Sequence, residues 1–199
     1  MKLKADIVIW DADGTLLNST SLTWTVTELL LEALTGQRPS IRNAEDEHCH
    51  FGREALDRIA PGHGDGVWMM HRFGMRARAR QVGLVPGIEA VVSRLNTRRQ
   101  GIVTAALSSY VTEAIGPLAT RFRFIRGHEH GTKRELLQAL TMDGNAVYVG
   151  DTVRDINICR DLRIPIIGVG WGLDGLSALK AASADYVVNT PDELNDILL

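Results

Sequence analysis

The chain has 199 residues, 45% of them hydrophobic, enough for one packed domain that carries an insertion. Its formal net charge of −2 excludes a global attraction to nucleic acid or to an anionic membrane, so any cationic site has to be local. The cysteines, Cys49 and Cys159, stand far apart outside any CxxC spacing and read as reduced thiols, while the start Met1-Lys2-Leu3-Lys4 leads into a strand-like segment and no apolar run approaches the roughly 18 residues of a membrane span; a soluble, cytoplasmic protein is expected.

Short runs rich in Val, Ile and aromatic residues predict strands at Ala5–Trp10, Gly101–Leu107, Phe122–Arg126, Ala146–Gly150, Ile164–Gly170 and Asp185–Asn189, each apolar enough to be covered on both faces. Between them, helical spacing predicts helices over Ile88–Thr97, Ser109–Ala119, Lys133–Thr141, Asp155–Leu162 and Leu176–Ala182, and Pro191 opens a last one at its first turn. This alternation argues for an α/β fold with a doubly wound parallel sheet. The rhythm breaks between about Ser19 and Gln81, where Leu22–Leu34, Arg53–Ala60 and Val67–Arg80 are helical and no strand is visible. Residues 1–18 and 82–199 are therefore expected to form the α/β core, with residues 19–81 an all-helical insert that rejoins it near Pro86-Gly87. The stretch "GHGDG", Gly62–Gly66, reads as a loop.

The stretch "IVIWDADGTLLNST", Ile7–Thr20, drives an apolar strand straight into Asp11 and Asp13 and then turns on Gly14. Two like charges about 4 Å apart in a protein-like medium repel by about 4 kcal/mol, so a bound cation or a shared catalytic duty has to offset the cost. Ligands of a doubly wound sheet collect beyond the carboxyl ends of its strands. Asp11 and Asp13 follow the first strand, Thr104 lies toward the end of the second, Lys133 opens the helix after the third, and "VYVGDTVRD" puts Asp151 just after the fourth with Asp155 four residues on. All can converge at one sheet edge. Such a cluster suits phosphoryl transfer: one carboxylate attacks phosphorus to give an aspartyl-phosphate, and a second protonates the leaving alkoxide and later deprotonates water. Magnesium would offset the repulsion, with Lys133 and Thr104 holding phosphate oxygens.

"DADGTLLNS", "VTAALSS", "GTKRELL" and "GDTVRD" resemble, in order, the four motifs of the haloacid dehalogenase superfamily of hydrolases, over essentially the whole chain. The first and fourth are specific together; the second and third are weak alone. The resemblance, phosphoglycolate-phosphatase-like in detail, implies a Rossmann-like core with a small helical cap. It implies Asp11 as nucleophile, Asp13 as general acid and base, Thr104 and Lys133 as phosphate ligands, Asp151 as a magnesium ligand beside Asp11 and the Asp13 backbone carbonyl, and Asp155 as its support. The implied activity is magnesium-dependent hydrolysis of a small phosphorylated metabolite, with phosphomutase as the alternative and a non-catalytic regulatory module as the reading from another class. Asn18, Ala105 and the absence of a proline after Lys133 depart from patterns common among relatives and leave the substrate open.

Other features read as packing or surface. His48 and His50 flank Cys49 without a second cluster, so they are not read as a zinc site. The run at Arg76–Arg80 reads as a solvated helix face, Trp24, Trp68, Met69 and Met70 as core of the insert, and "GVGWG", Gly168–Gly172, as a loop beside the site. Substrate discrimination is expected from the insert, with His50, Phe51 and Arg53 in "HCHFGRE" as the named candidates.

Overall fold

The computed structural model describes residues 3, 5–37, 53–95, 99–141 and 145–199. Its six strands are β1 (Ile7–Trp10), β2 (Arg99–Val103), β3 (Ile125–Arg126), β4 (Ala146–Gly150), β5 (Ile166–Val169) and β6 (Tyr186–Val188). They form one sheet in the order β3-β2-β1-β4-β5-β6, and every neighbouring pair is parallel. The chain winds outward from β1 to β3, crosses back to β4 and winds outward again, so the order reverses between β1 and β4. The register there aligns Trp10 with Ile102 on one side and with Val149 on the other. Residues just beyond Trp10, Val103 and Gly150 therefore meet in the crevice where such sheets bind ligands.

Three helices follow β1, namely α1 (Thr20–Thr35), α2 (Arg53–Ile59) and α3 (Gly64–Arg76), and α4 (Ile88–Arg94) then leads into β2. The remaining helices are α5 (Ser108–Ile115), α6 (Lys133–Thr141), α7 (Val153–Leu162), α8 (Gly175–Ala181) and α9 (Pro191–Leu198). Alternation along each strand divides the core. Val8, Trp10, Ile102, Val147 and Val149 face α4, α5 and α9, whereas Ile7, Ile9, Val103 and Tyr148 face α6, α7 and α8. Leu31, Leu56, Ala60 and Val67 make a separate small cluster among α1 to α3, with Trp24 and Trp68 against it.

Several boundaries differ from the sequence expectation. The second strand ends at Val103 and not at Leu107, because the Thr104 Oγ1 accepts the Ala106 N–H at 3.2 Å and turns the chain into α5. The third strand keeps only Ile125–Arg126, since as the sheet's edge it has just β2 to pair with. Gly116 ends α5 early, and Gly116–Arg121 continues as a 3-10 helix with a proline in its first turn. α3 likewise stops at Arg76, and a 3-10 turn at Ala79–Gln81 completes the stretch expected to be helical to Arg80.

For the insert, one expectation is overturned, one is refined and one falls outside the described residues. Met69 and Met70 are 55% and 54% exposed and so are not core. The arginine run is not simply solvated: the Arg76 Nη1 and the Arg80 Nε lie 2.5 and 2.9 Å from the two carboxylate oxygens of Glu113 on α5, and the Arg76 Nε donates to the Ser109 Oγ. His48, Cys49, His50 and Phe51 lie outside the described residues, and Arg53 is described only as the first residue of α2.

Candidate active site

The turn after β1 is built by its own backbone. The Leu17 N–H donates to the Ala12 carbonyl at 2.9 Å, and the Gly14 N–H to the Leu17 carbonyl at 3.0 Å. Gly14 sits at φ +70°, a conformation that only glycine adopts at no cost, and a Cβ there would lie 2.1 Å from the Asp151 Oδ2. From the other side, a Cβ on Gly172 would fall 2.2 Å from the Asp151 Cβ. Two glycines thus give Asp151 its place. Its carboxylate accepts the Thr15 hydroxyl at 3.2 Å on Oδ1 and the Leu173 N–H at 2.7 Å on Oδ2.

Asp155 is fixed by the start of α7. Thr152 is the N-cap: its Oγ1 accepts the Asp155 N–H and donates to the Asp155 Oδ2 at 2.8 Å. Lys133 is delivered by a second capping arrangement, in which Thr132 and Glu135 exchange backbone and side-chain hydrogen bonds at the start of α6. A lysine in the first helical turn opposes the helix dipole, so its place there needs another reason. The reason is visible in its contacts: the Lys133 Nζ lies 2.8 Å from the Asp11 Oδ2 and 2.6 Å from the Asp155 Oδ1, with all three side chains nearly enclosed. The Asp11 Oδ1 accepts the Ala12 N–H at 2.8 Å.

The electrostatics of the group are strained. Burial drives the Asp11 carboxyl above the usual carboxylate range, against the pull of Lys133, and drives Asp151 up as well, with Asp11 and Asp155 adding repulsion. Burial alone would lower Lys133, but Asp11 and Asp155 outweigh it and hold the ammonium charged. One cation among three buried carboxylates leaves negative charge unbalanced. Asp11, Asp151 and Asp155 each offer an oxygen within 4.8 Å of the others, and hard, buried oxygen donors at that spacing fit a small divalent cation. Each oxygen of the three carboxylates already accepts one hydrogen bond, and each keeps a further lone pair for a cation.

The structure therefore brings together Asp11, Lys133, Asp151 and Asp155. Asp13 belongs to the same turn and stands outside the ion-paired group, where the Tyr110 hydroxyl donates to its Oδ1 at 2.7 Å. Burial raises the Asp13 carboxyl too, opposed by hydrogen bonds from Ser19 and Tyr110. Thr104 stands one residue past β2, buried at the same sheet edge, and its N–H donates to the Arg126 carbonyl at 3.0 Å. Sequence reasoning missed Thr15, Tyr110 and Thr152. Of these only Thr152 carried a signal, the T-x-x-D spacing of a cap inside "GDTVRD".

A family model for haloacid dehalogenase-like hydrolases matches residues 5–162. A phosphoglycolate phosphatase of Synechococcus elongatus is 25% identical over 209 residues, covering 94% of each chain. Among solved structures, a protein of Lactobacillus plantarum superposes with a TM-score of 0.83 at 22% identity, over 98% of this chain and 99% of that one. A haloacid dehalogenase-like protein of Streptococcus pneumoniae gives 0.78 at 20% identity, over 95% and 96%. With the family model spanning most of the chain and the acidic residues gathered where the sheet order reverses, the chain belongs to the haloacid dehalogenase-like hydrolases.

Proposed function

We propose that this hydrolase is a magnesium-dependent phosphatase of small phosphorylated metabolites that works through an aspartyl-phosphate on Asp11. The carrying observation is the bridge made by Lys133 between Asp11 and Asp155, with an Asp151 oxygen within 4.8 Å of both carboxylates. Lys133 and the Ala12 N–H grip the Asp11 carboxylate by both oxygens, keeping it oriented and opposing the burial that favours its protonated form. As a phosphomonoester binds, Lys133 is placed to share its charge between Asp11 and the phosphoryl oxygens, and Thr104 supplies a hydroxyl from the neighbouring strand end. An Asp11 oxygen bonds to phosphorus while the bond to the leaving oxygen breaks, and Asp13 gives that oxygen its proton. Water then attacks the aspartyl-phosphate, Asp13 takes the water's proton, and phosphate leaves. A magnesium ion held by Asp11, the Asp13 carbonyl and Asp151, with Asp155 in support, would neutralise charge and polarise the phosphoryl group.

The relative from Synechococcus elongatus, described as a phosphoglycolate phosphatase, supports a small phosphorylated substrate. No helix among the described residues is long and apolar enough to cross a membrane, which agrees with a cytoplasmic enzyme acting on soluble metabolites. The insert, residues 19–81, serves in this reading as the cap that excludes water and selects the substrate. Release of inorganic phosphate from a panel of phosphorylated metabolites is the test. Activity should vanish in excess chelator and return with magnesium, whereas calcium should inhibit because its looser shell recruits extra oxygens. Isomerisation of a sugar phosphate without net phosphate release would turn the assignment to a mutase.

A further inference from the structure

The carboxyl of Asp13 is held from outside the four sequence motifs. Tyr110 lies in the first turns of α5, is fully buried, and donates its hydroxyl to the Asp13 Oδ1 at 2.7 Å. Beside the same carboxyl is Ser19, whose Oγ accepts the Gly14 N–H at 3.2 Å. In the contact between Tyr110 and Asp13 the phenol O–H is the donor and the carboxylate oxygen the acceptor. A donor on Oδ1 favours Oδ2 as the seat of the acid proton, because a proton on Oδ1 would compete with the phenol's own. α5 is itself anchored, because Glu113, one turn after Tyr110, accepts Arg76 and Arg80 from the end of the insert. Tyr110 therefore reaches Asp13 from a helix that also contacts Arg76 and Arg80.

We infer that Tyr110 is a positioning residue for the acid and base step: through its hydrogen bond to the Asp13 Oδ1 it fixes the Asp13 carboxyl with the Oδ2 proton presented to the leaving oxygen. This rests on the role proposed for Asp13. In the step itself the bond from phosphorus to the leaving oxygen breaks, the bond to the Asp11 oxygen forms, the Asp13 Oδ2 proton passes to the leaving oxygen, and the Tyr110 proton stays where it is. With the hydroxyl removed, the Asp13 side chain keeps Ser19 but loses its hold on Oδ1, and the proton is delivered to the leaving oxygen less often. Leaving groups that need a proton should suffer, and those that depart as stable anions should suffer little.

The test uses aryl phosphates graded from 2,4-dinitrophenyl to phenyl phosphate, with the wild-type chain, Tyr110→Phe and Asp13→Asn. Phe keeps the ring that fills the core, and thermal unfolding reports whether the variant is folded; should it not fold, Tyr110→Met serves as a second replacement that fills the site without a donor. The expected result is a loss of kcat/KM for phenyl phosphate at least tenfold greater than that for 2,4-dinitrophenyl phosphate, in the same direction as Asp13→Asn but smaller. A crystal structure of Tyr110→Phe should show the Asp13 side chain turned from its wild-type position. An equal loss across the series, or none, with Asp13→Asn showing the graded loss, overturns the inference and leaves the role of Asp13 standing. A flat series for Asp13→Asn overturns the acid assignment and the inference together.

Discussion

Two charge triads in this molecule share one wiring diagram and differ in everything else. At the sheet edge one cation, Lys133, sits between two carboxylates, Asp11 and Asp155, with side-chain exposures of 11%, 9% and 1%. Where the insert meets the core, one carboxylate, Glu113, sits between two cations, Arg76 and Arg80, with exposures of 29%, 41% and 88%. In the first, water is largely excluded, each charge depends on its partners, and the unbalanced negative charge leaves a place for a cation. In the second, solvent screens every charge, and the contact fastens α3 to α5 at small gain. Geometry alone does not separate a reactive cluster from a fastener; desolvation does. That is why the buried triad lies in the ligand-binding crevice and the exposed one at a joint.

The contrast can be broken most severely at Asp11. Asp11→Asn keeps the shape and removes the nucleophile, so turnover of any phosphomonoester should fall by at least about four orders of magnitude with the fold retained. A residual rate above about a tenth of wild type, measured as phosphate release, removes Asp11 from that role. Lys133→Met comes next. It leaves Asp11 and Asp155 facing each other in a buried site, so it should cost about 3 kcal/mol in urea unfolding as well as most of the activity.

The recognisable part of this site is the part written locally. Asp11, Asp13 and Gly14 follow a strand within four residues, and Asp151 and Asp155 sit around one strand end and one helix cap, so the chain displays them together. The doubly wound parallel sheet was legible from the alternation of strands and helices, and the nine α-helices of the described residues from helical spacing, whereas the strand order itself is seen only in the structure. Contacts made across long separations were not. Tyr110 meets Asp13 over 97 residues, and Glu113 meets Arg76 over 37, with no spacing rule to mark which face of α5 would be turned toward them. Met69 and Met70 were misplaced for a related reason, since the sides of α3 that α1 and α2 cover depend on how three helices pack and not on α3 alone.

A further buried titratable group, on α3, sharpens the role of desolvation. His71 on α3 is 5% exposed, stacks on Trp68 with ring centroids 5.8 Å apart, and is pushed down to about 4 by burial and then by Arg72. The unfolded chain, with its histidine near the ordinary 6.5, binds more protons between these two values, so stability rises with pH across that window. The contribution is complete above pH 6.5 and lost as pH falls toward 4, with a ceiling of about 3 kcal/mol. Urea unfolding of the wild type and His71→Gln should give a stability difference that shrinks from pH 7.5 to pH 5; a constant difference contradicts a neutral, buried His71. The smallest effect belongs to the exposed triad. Glu113→Ala should lower stability by less than about 1 kcal/mol, and by still less at high salt. A larger loss, insensitive to salt, would place Glu113 with the buried class.

The central claim is that Asp11 becomes covalently phosphorylated, and trapping the intermediate tests it most directly. Asp13→Asn should still form the aspartyl-phosphate from an aryl phosphate with a good leaving group while losing the base that activates water, so the intermediate should accumulate. Acid quench followed by peptide mass spectrometry should find the phosphoryl group on Asp11, absent from the Asp11→Asn, Asp13→Asn double variant. Phosphate release from the wild type with no phosphoryl group on Asp11 in the quenched variant, or with the group on another residue, would contradict the account.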